Sequence, residues 1–290
     1  MADSDKYPIE SGRRRFVKGV VGAASLATVG TATGVGLTSV TSSAGEGGGV
    51  TRYKALENIA GPAPRGMPQI PIEIDGSGTI KGIWPEPKEV QRGSQTITVA
   101  ETDIGGVTYS TEWFQYCGVQ TYAGIAPDAD QENSFLSGSN TPYSWQQEQL
   151  SSGDPLKVEH FQDYKEWGND IGKSGLGKPA MGTWRSKDTK STIPIQVIRS
   201  TKVEEMAKND PWLKASTAQG FIAWLDKCTH FCCVPAYKAF PGSAKFNAED
   251  KIYCQCHQSV YDPYQIVDTT FVSLPRPSGD SGSESGSESE

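Results

Sequence analysis

The sequence predicts a mostly β protein with short helices, built of stacked antiparallel sheets behind one apolar N-terminal segment. The 290 residues include 32 Gly and 18 Pro and are only 36% hydrophobic, which argues against a helical bundle or coiled coil. Short β-like runs separated by turn residues recur from about Gln95 onward. Only one long uncharged run exists, which excludes a polytopic membrane protein. A net charge of −7 argues against a nucleic-acid partner. The acidic excess is compatible with a high-salt habitat and too mild to establish one.

From the N-terminus, Arg13-Arg14-Arg15-Phe16-Val17-Lys18 resembles a twin-arginine export signal. Residues 1–18 are therefore expected in the cytoplasm and the remainder outside the cell membrane. Gly19–Val40 has 22 uncharged residues, a helix of about 33 Å that matches a bilayer core. Gly30 with Gly34, and Ala32 with Gly36, would let a second helix approach closely. Cleavage at Ser42-Ser43-Ala44 would release a soluble protein. The length of the run favours a retained single-pass anchor.

Thr41–Gly49 is a flexible linker by composition, and Pro62–Pro71 is a stiffer Pro-rich stretch. Residues 41–75 are thus expected to form a hinge, and 76–275 the folded domain, with 76–190 partly an insertion. Strands are expected at Thr96–Ala100, Gly106–Thr111, Ile193–Arg199 and Gly220–Leu225. In the third, Ile193, Ile195 and Val197 alternate with Pro194, Gln196 and Ile198, as in a partly buried strand. Lys202–Lys208 and His160–Trp167 read as short helices. The Ser/Gly/Asp/Glu tail, 276–290, is disordered by composition.

The chemistry is concentrated in the cysteines. Of six, five fall within 29 residues. Cys228-Thr229-His230-Phe231-Cys232-Cys233 supplies C-x-H, and Cys254-Gln255-Cys256-His257-Gln258-Ser259-Val260-Tyr261-Asp262 supplies C-x-x-H. Two such loops can meet at one metal centre. A zinc site with two Cys and two His would use these donors. It leaves Cys233 and Cys256 without a role, and Thr229, Ser259 and Tyr261 unexplained. A 2Fe-2S centre with thiolates on one iron and imidazoles on the other uses the same donors. His160 is the remaining histidine and reads as a surface or hydrogen-bonded residue.

The two segments resemble the fingerprint of the Rieske iron–sulfur subunits of cytochrome bc complexes, C-T-H-x-G-C followed by C-P-C-H-G-S-x-Y-D. The likeness extends to Ile193–Glu205, to Phe221–Leu225 and to Leu274-Pro275-Arg276-Pro277, which resembles the family's cluster-covering proline loop. It implies a Rieske fold of stacked antiparallel sheets with a small cluster-binding subdomain at 227–263. It implies that Cys228 and Cys254 bind the inner iron of one 2Fe-2S cluster, and His230 and His257 the outer iron. It implies a Cys233–Cys256 disulfide, a Ser259 hydroxyl bonded to a bridging sulfide, and a Tyr261 phenol bonded to the Cys228 sulfur. Three positions depart from the fingerprint: Cys232 and Gln258 stand where the family has Gly, and Gln255 where it has Pro.

With those cysteines assigned, Cys117 and Cys232 remain. They are either a second disulfide, tying the segment that looks inserted to the first loop, or two unrelated thiols. The functional expectation is an electron carrier acting as a subunit of a quinol–cytochrome c oxidoreductase. Its partners would be a cytochrome b subunit, quinol, the membrane, and a c-type cytochrome or copper-protein acceptor. An exposed histidine, His230 or His257, would take the quinol proton together with one electron. The alternative is a Rieske relay subunit of another exported oxidoreductase, of the arsenite-oxidase type.

Overall fold

A long C-terminal strand and the first strand of the domain pair along most of their length and form the spine of the fold. Residues 49–92, 94–274 and 276 are described in a computed structural model. The twin-arginine motif, Gly19–Val40, the cleavage alternative at 42–44 and the tail from Pro277 lie outside the described residues. In chain order the strands are β1 (Gly49–Ala60), β2 (Met67–Ile70), β3 (Ile72–Ile74), β4 (Ile80–Gly82), β5 (Pro87–Arg92), β6 (Gln95–Ile104) and β7 (Val107–Ser110). They continue as β8 (Leu136–Ser137), β9 (Lys178–Trp184), β10 (Ile193–Arg199), β11 (Phe221–Leu225), β12 (Ala236–Tyr237), β13 (Ile252–Cys254) and β14 (Ser259–Ser273). Helices α1 (Ser144–Gln149), α2 (Thr201–Asn209) and α3 (Pro211–Ser216) are short. Among the described residues no helix is long and apolar enough to cross a membrane.

The protein is mostly β, and its paired strands are antiparallel. Nine strands run β12-β13-β14-β1-β2-β11-β10-β9-β8. Smaller sheets pair β3 with β4, and β5 with β6 and β7. β1 buries Thr51, Tyr53 and Ala55 and exposes Val50 and Arg52, the period of two expected of a strand with one packed face. Its pairing with β14 slips between Leu56↔Ile266 and Glu57↔Asp262. Pro263 lies within the slip and has no amide hydrogen to give the ladder.

This narrows the expected hinge: residues 49–74 contribute strands to the folded sheets rather than lying before a domain that begins at 76, while 41–48 lie outside the described residues. The Gly-rich composition before Val50 hides a strand whose partner lies more than 200 residues away. The reading of 76–190 as partly an insertion is also narrowed. β8 and β9 close one edge of the large sheet, whereas β5–β7 form a sheet of their own.

β10 and β11 occupy the positions expected, but β10 is buried on both faces from Ile195 to Ile198. Gln196 tolerates burial because both ends of its amide are used. Its nitrogen donates to Tyr143 Oη at 2.8 Å, and its oxygen accepts from the Tyr237 amide at 3.0 Å. α2 covers the helix expected at Lys202–Lys208, capped by the Ser200 hydroxyl. α3, which was not expected, carries Asp210 as cap and Pro211 in its first turn. His160–Trp167 is not an α-helix. A single 3-10 turn, Val158–Phe161, forms there, and His160 Nδ1 folds back to accept the Lys157 amide at 3.1 Å.

Candidate metal centre

Two loops converge at one end of the large sheet. The first, Cys228–Pro235, leaves the fully buried β11. The second, Cys254–Ser259, is the turn between β13 and β14, whose end residues Cys254 and Ser259 face each other across the ladder. Both turns are closed by backbone bonds: Cys228 N to Cys233 O at 2.7 Å, Cys232 N to Cys228 O at 3.0 Å, and Gln258 N to Cys254 O at 2.8 Å.

The two family-glycine positions keep a glycine-like backbone without glycine. Cys232 has φ 61° and Gln258 φ 64°, left-handed values that cost a side-chain-bearing residue roughly 1–2 kcal/mol. The loop closures must offset that cost.

The Cys228 and Cys254 thiols are free and buried, each residue 1% exposed. His257 is exposed and His230 half-buried, with ring centroids 4.8 Å apart and planes nearly perpendicular. Soft sulfur donors therefore lie inside and imidazoles outside. Tyr261, fully buried, donates its hydroxyl to Cys228 Sγ at 3.2 Å and accepts the Thr229 amide at 3.1 Å. Hydrogen bonding from the Cys254 thiol draws the Cys228 thiol down to about 5 against the opposing effect of burial, with the Tyr261 phenol adding to the pull. The same contact, with burial, pushes Cys254 upward.

Among the buried polar atoms without a hydrogen-bond partner of normal geometry, the Ser259 hydroxyl, which still helps draw the Cys228 thiol down, and His230 Nδ1 belong to these loops. Orphans of this kind cost about 1–3 kcal/mol unless something fills the site. Two thiols, two imidazoles and a spare hydroxyl fit the donor chemistry of an iron–sulfur group, which Cys228, Cys254, His230 and His257 would hold.

Cys233 and Cys256 are joined in a disulfide, Cα atoms 6.7 Å apart. The sulfurs of Cys233, Cys254 and Cys256 lie within 4.8 Å of one another, so this bridge sits beside an inner thiol. Cys117 and Cys232 form a second disulfide, Cα atoms 5.4 Å apart. Gln255 is exposed, so its side chain takes no part in the core of the loop.

Residues outside the motifs complete the site. Gly61-Pro62-Ala63-Pro64-Arg65-Gly66, expected to be linker, lies against both loops. A Cβ on Gly61, whose φ is 82°, would stand 2.5 Å from the Gln258 carbonyl oxygen. The Thr229 hydroxyl donates to Arg65 O at 2.6 Å. Asn58, just before this segment, donates to Val260 O at 3.1 Å. The Arg65 guanidinium stacks on Tyr116 and Phe271. Of the segment expected to cover the centre, Leu274 is exposed, while Pro275 and Pro277 lie outside the described residues. Asp226, beneath the first loop, is fully buried against the Trp224 indole at 3.1 Å, and burial pushes its carboxyl well above the usual range. Nothing in the local sequence marked Asp226 or Gly61–Gly66, because their neighbours come from distant strands.

No protein-family profile, curated protein or solved structure matches the chain.

Proposed function

We propose that the chain is the Rieske subunit of a quinol-oxidising cytochrome bc-type complex, held by Gly19–Val40 with its head on the extracytoplasmic face. One observation supports this reading above others: two buried thiols lie beneath two imidazoles, with the Tyr261 hydroxyl on the Cys228 sulfur and the buried Ser259 hydroxyl nearby. A structural zinc site needs four donors and gives those hydroxyls no work. A 2Fe-2S cluster on Cys228, Cys254, His230 and His257 supplies one-electron chemistry, at a potential raised by its neutral imidazoles.

The protein residues then have distinct roles. The Tyr261 hydroxyl on the Cys228 sulfur favours the more negative, reduced state, and the Ser259 hydroxyl would do the same if it donated to a cluster sulfide. His257, the more exposed imidazole, accepts a hydrogen bond from a quinol hydroxyl and takes its proton, because a ring nitrogen can both accept a hydrogen bond and carry a proton. The Cys233–Cys256 bridge holds the two loops together in an oxidising compartment. A cytochrome b subunit presents the quinol, and a c-type cytochrome or copper protein receives the electron.

The test is metal and sulfide analysis with an electron paramagnetic resonance redox titration of membranes holding the full chain. Iron with matching acid-labile sulfide and a Rieske signal is expected. Zinc without iron overturns the reading. A Rieske signal at a potential too low to accept from quinol points instead to a relay subunit of the arsenite-oxidase type.

A further inference from the structure

We infer that the aromatic segment 111–125 is a positioning element for the first metal-binding loop and acts through the Cys117–Cys232 disulfide. Its electrochemical readout rests on the Rieske reading above; its structural readout does not.

Three ties join this segment to residues 227–232. The first is the disulfide. The second is the Tyr116 hydroxyl, which donates to Lys227 O at 2.8 Å. The third is the Lys227 ammonium, which reaches Tyr122 Oη at 3.1 Å and Cys117 O at 3.4 Å. The segment is itself anchored. Trp113 and Phe114 are buried and pack edge-on against Tyr109 and Trp184 respectively. The loop is thus tied to the core of the sheet and not to a mobile arm.

Both half-cystines have left-handed backbones, φ 52° at Cys117 and 61° at Cys232. That conformation costs a side-chain-bearing residue roughly 1–2 kcal/mol, which the covalent bond helps to offset at both positions. The covalent bond supplies a constraint that a glycine at 232 would not need, which accounts for a cysteine at that position.

Cys232 is also where the loop is most sensitive. Its amide closes the turn on Cys228 O at 3.0 Å. Its neighbour Phe231, 66% exposed, packs against the His230 and His257 rings with centroids 4.3 and 5.2 Å away. Displacing Cys232 displaces the turn that carries one thiol donor and the ring that contacts both imidazoles. Segment 111–125 therefore sets the placement of Cys228 and His230 although it contributes no ligand.

The experiment compares the full-length purified protein with Cys117→Ser, and with the double variant Cys117→Ser plus Cys232→Gly. Amide hydrogen exchange over 227–235 should speed up on the order of tenfold in Cys117→Ser. The paramagnetic signal should broaden and the potential shift. The double variant, whose glycine accepts the left-handed backbone, should recover the parental line shape and potential while thermal stability stays low. Unchanged exchange in Cys117→Ser overturns the inference, as does faster exchange with an unaltered signal and potential. If Cys117→Ser does not fold, Tyr116→Phe removes one tie without breaking the covalent bond, and unchanged exchange there also overturns it. A parent protein with no Rieske signal would defeat the functional reading, while the exchange comparison would still decide this one.

Discussion

The two cysteine–histidine loops are held in place by different means. The second, Cys254–Ser259, is a tight turn between adjacent strands, with its register set by the β13–β14 ladder. The first, Cys228–Pro235, hangs from β11 and is held by distant groups. Cys232 goes to Cys117, Cys233 to Cys256, Thr229 to Arg65, and Lys227 to Tyr122. A local ladder suffices where sequence neighbours pair. Where they do not, covalent and side-chain ties replace it. Each loop contributes one buried thiol and one imidazole, so loss of either loop's geometry opens the centre.

The largest effect should come from removing an inner donor. Cys228→Ser or Cys254→Ser should abolish iron binding, read by metal analysis; retention of the parental iron content by either variant would separate that loop from the centre. Next come the bridges, which distinguish long closure from short. Cys117–Cys232 spans 115 residues and Cys233–Cys256 spans 23. In the chain-entropy model the long bridge contributes up to about 5 kcal/mol and the short one about 3 kcal/mol. Urea unfolding of Cys117→Ser against Cys233→Ser ranks them, and the reverse order would show that strain or residual unfolded structure dominates.

Gly61→Ala tests what lies against the second loop. Its Cβ would meet the Gln258 carbonyl oxygen at 2.5 Å, so a loss of about 1–3 kcal/mol is expected from clash and left-handed strain. Parental stability would mean that the segment yields freely. Tyr261→Phe acts on the first loop's sulfur and should lower the potential by roughly 40 mV, the equivalent of about 1 kcal/mol for one electron, with iron retained. An unchanged titration would show that the phenol does not favour the reduced state. The smallest effect is Gln258→Gly, which relieves a φ of 64°. It should stabilise the protein by up to about 1 kcal/mol in denaturant titration, and a loss of stability would mean that the exposed side chain contributes more than its strain.

Sequence reading and structure agree where chemistry or local periodicity leaves little choice. Cys228, His230, Cys254 and His257 could be singled out because residue identity and spacing are written in the chain itself, and the structure brings their two loops together. Ile193–Arg199 was legible by alternation, and Lys202–Lys208 as a short helix, to which the structure adds the Ser200 cap. Gly49–Ala60 was not, since its glycine-rich start reads as linker and its alternation acquires meaning only beside β14. Gly61–Gly66 was read as a stiff spacer for the same reason: proline and glycine announce a turn but not what the turn rests against. The Cys117–Cys232 bond was suggested only by an even count of leftover cysteines.

By itself the sequence determined the mostly β character and which thiols, imidazoles and hydroxyls the two loops carry. These depend on residue type and short-range order. Tertiary structure alone decided that His257 is the more exposed imidazole, that the Ser259 hydroxyl and His230 Nδ1 lack a hydrogen-bond partner of normal geometry, that Asp226 is buried and that Arg65 reaches Thr229. Each is a matter of which distant strands come together. Burial and hydrogen-bond partnership are properties of a place in the fold, fixed by long-range pairing such as β1 on β14, and no window along the chain contains both sides of that contact.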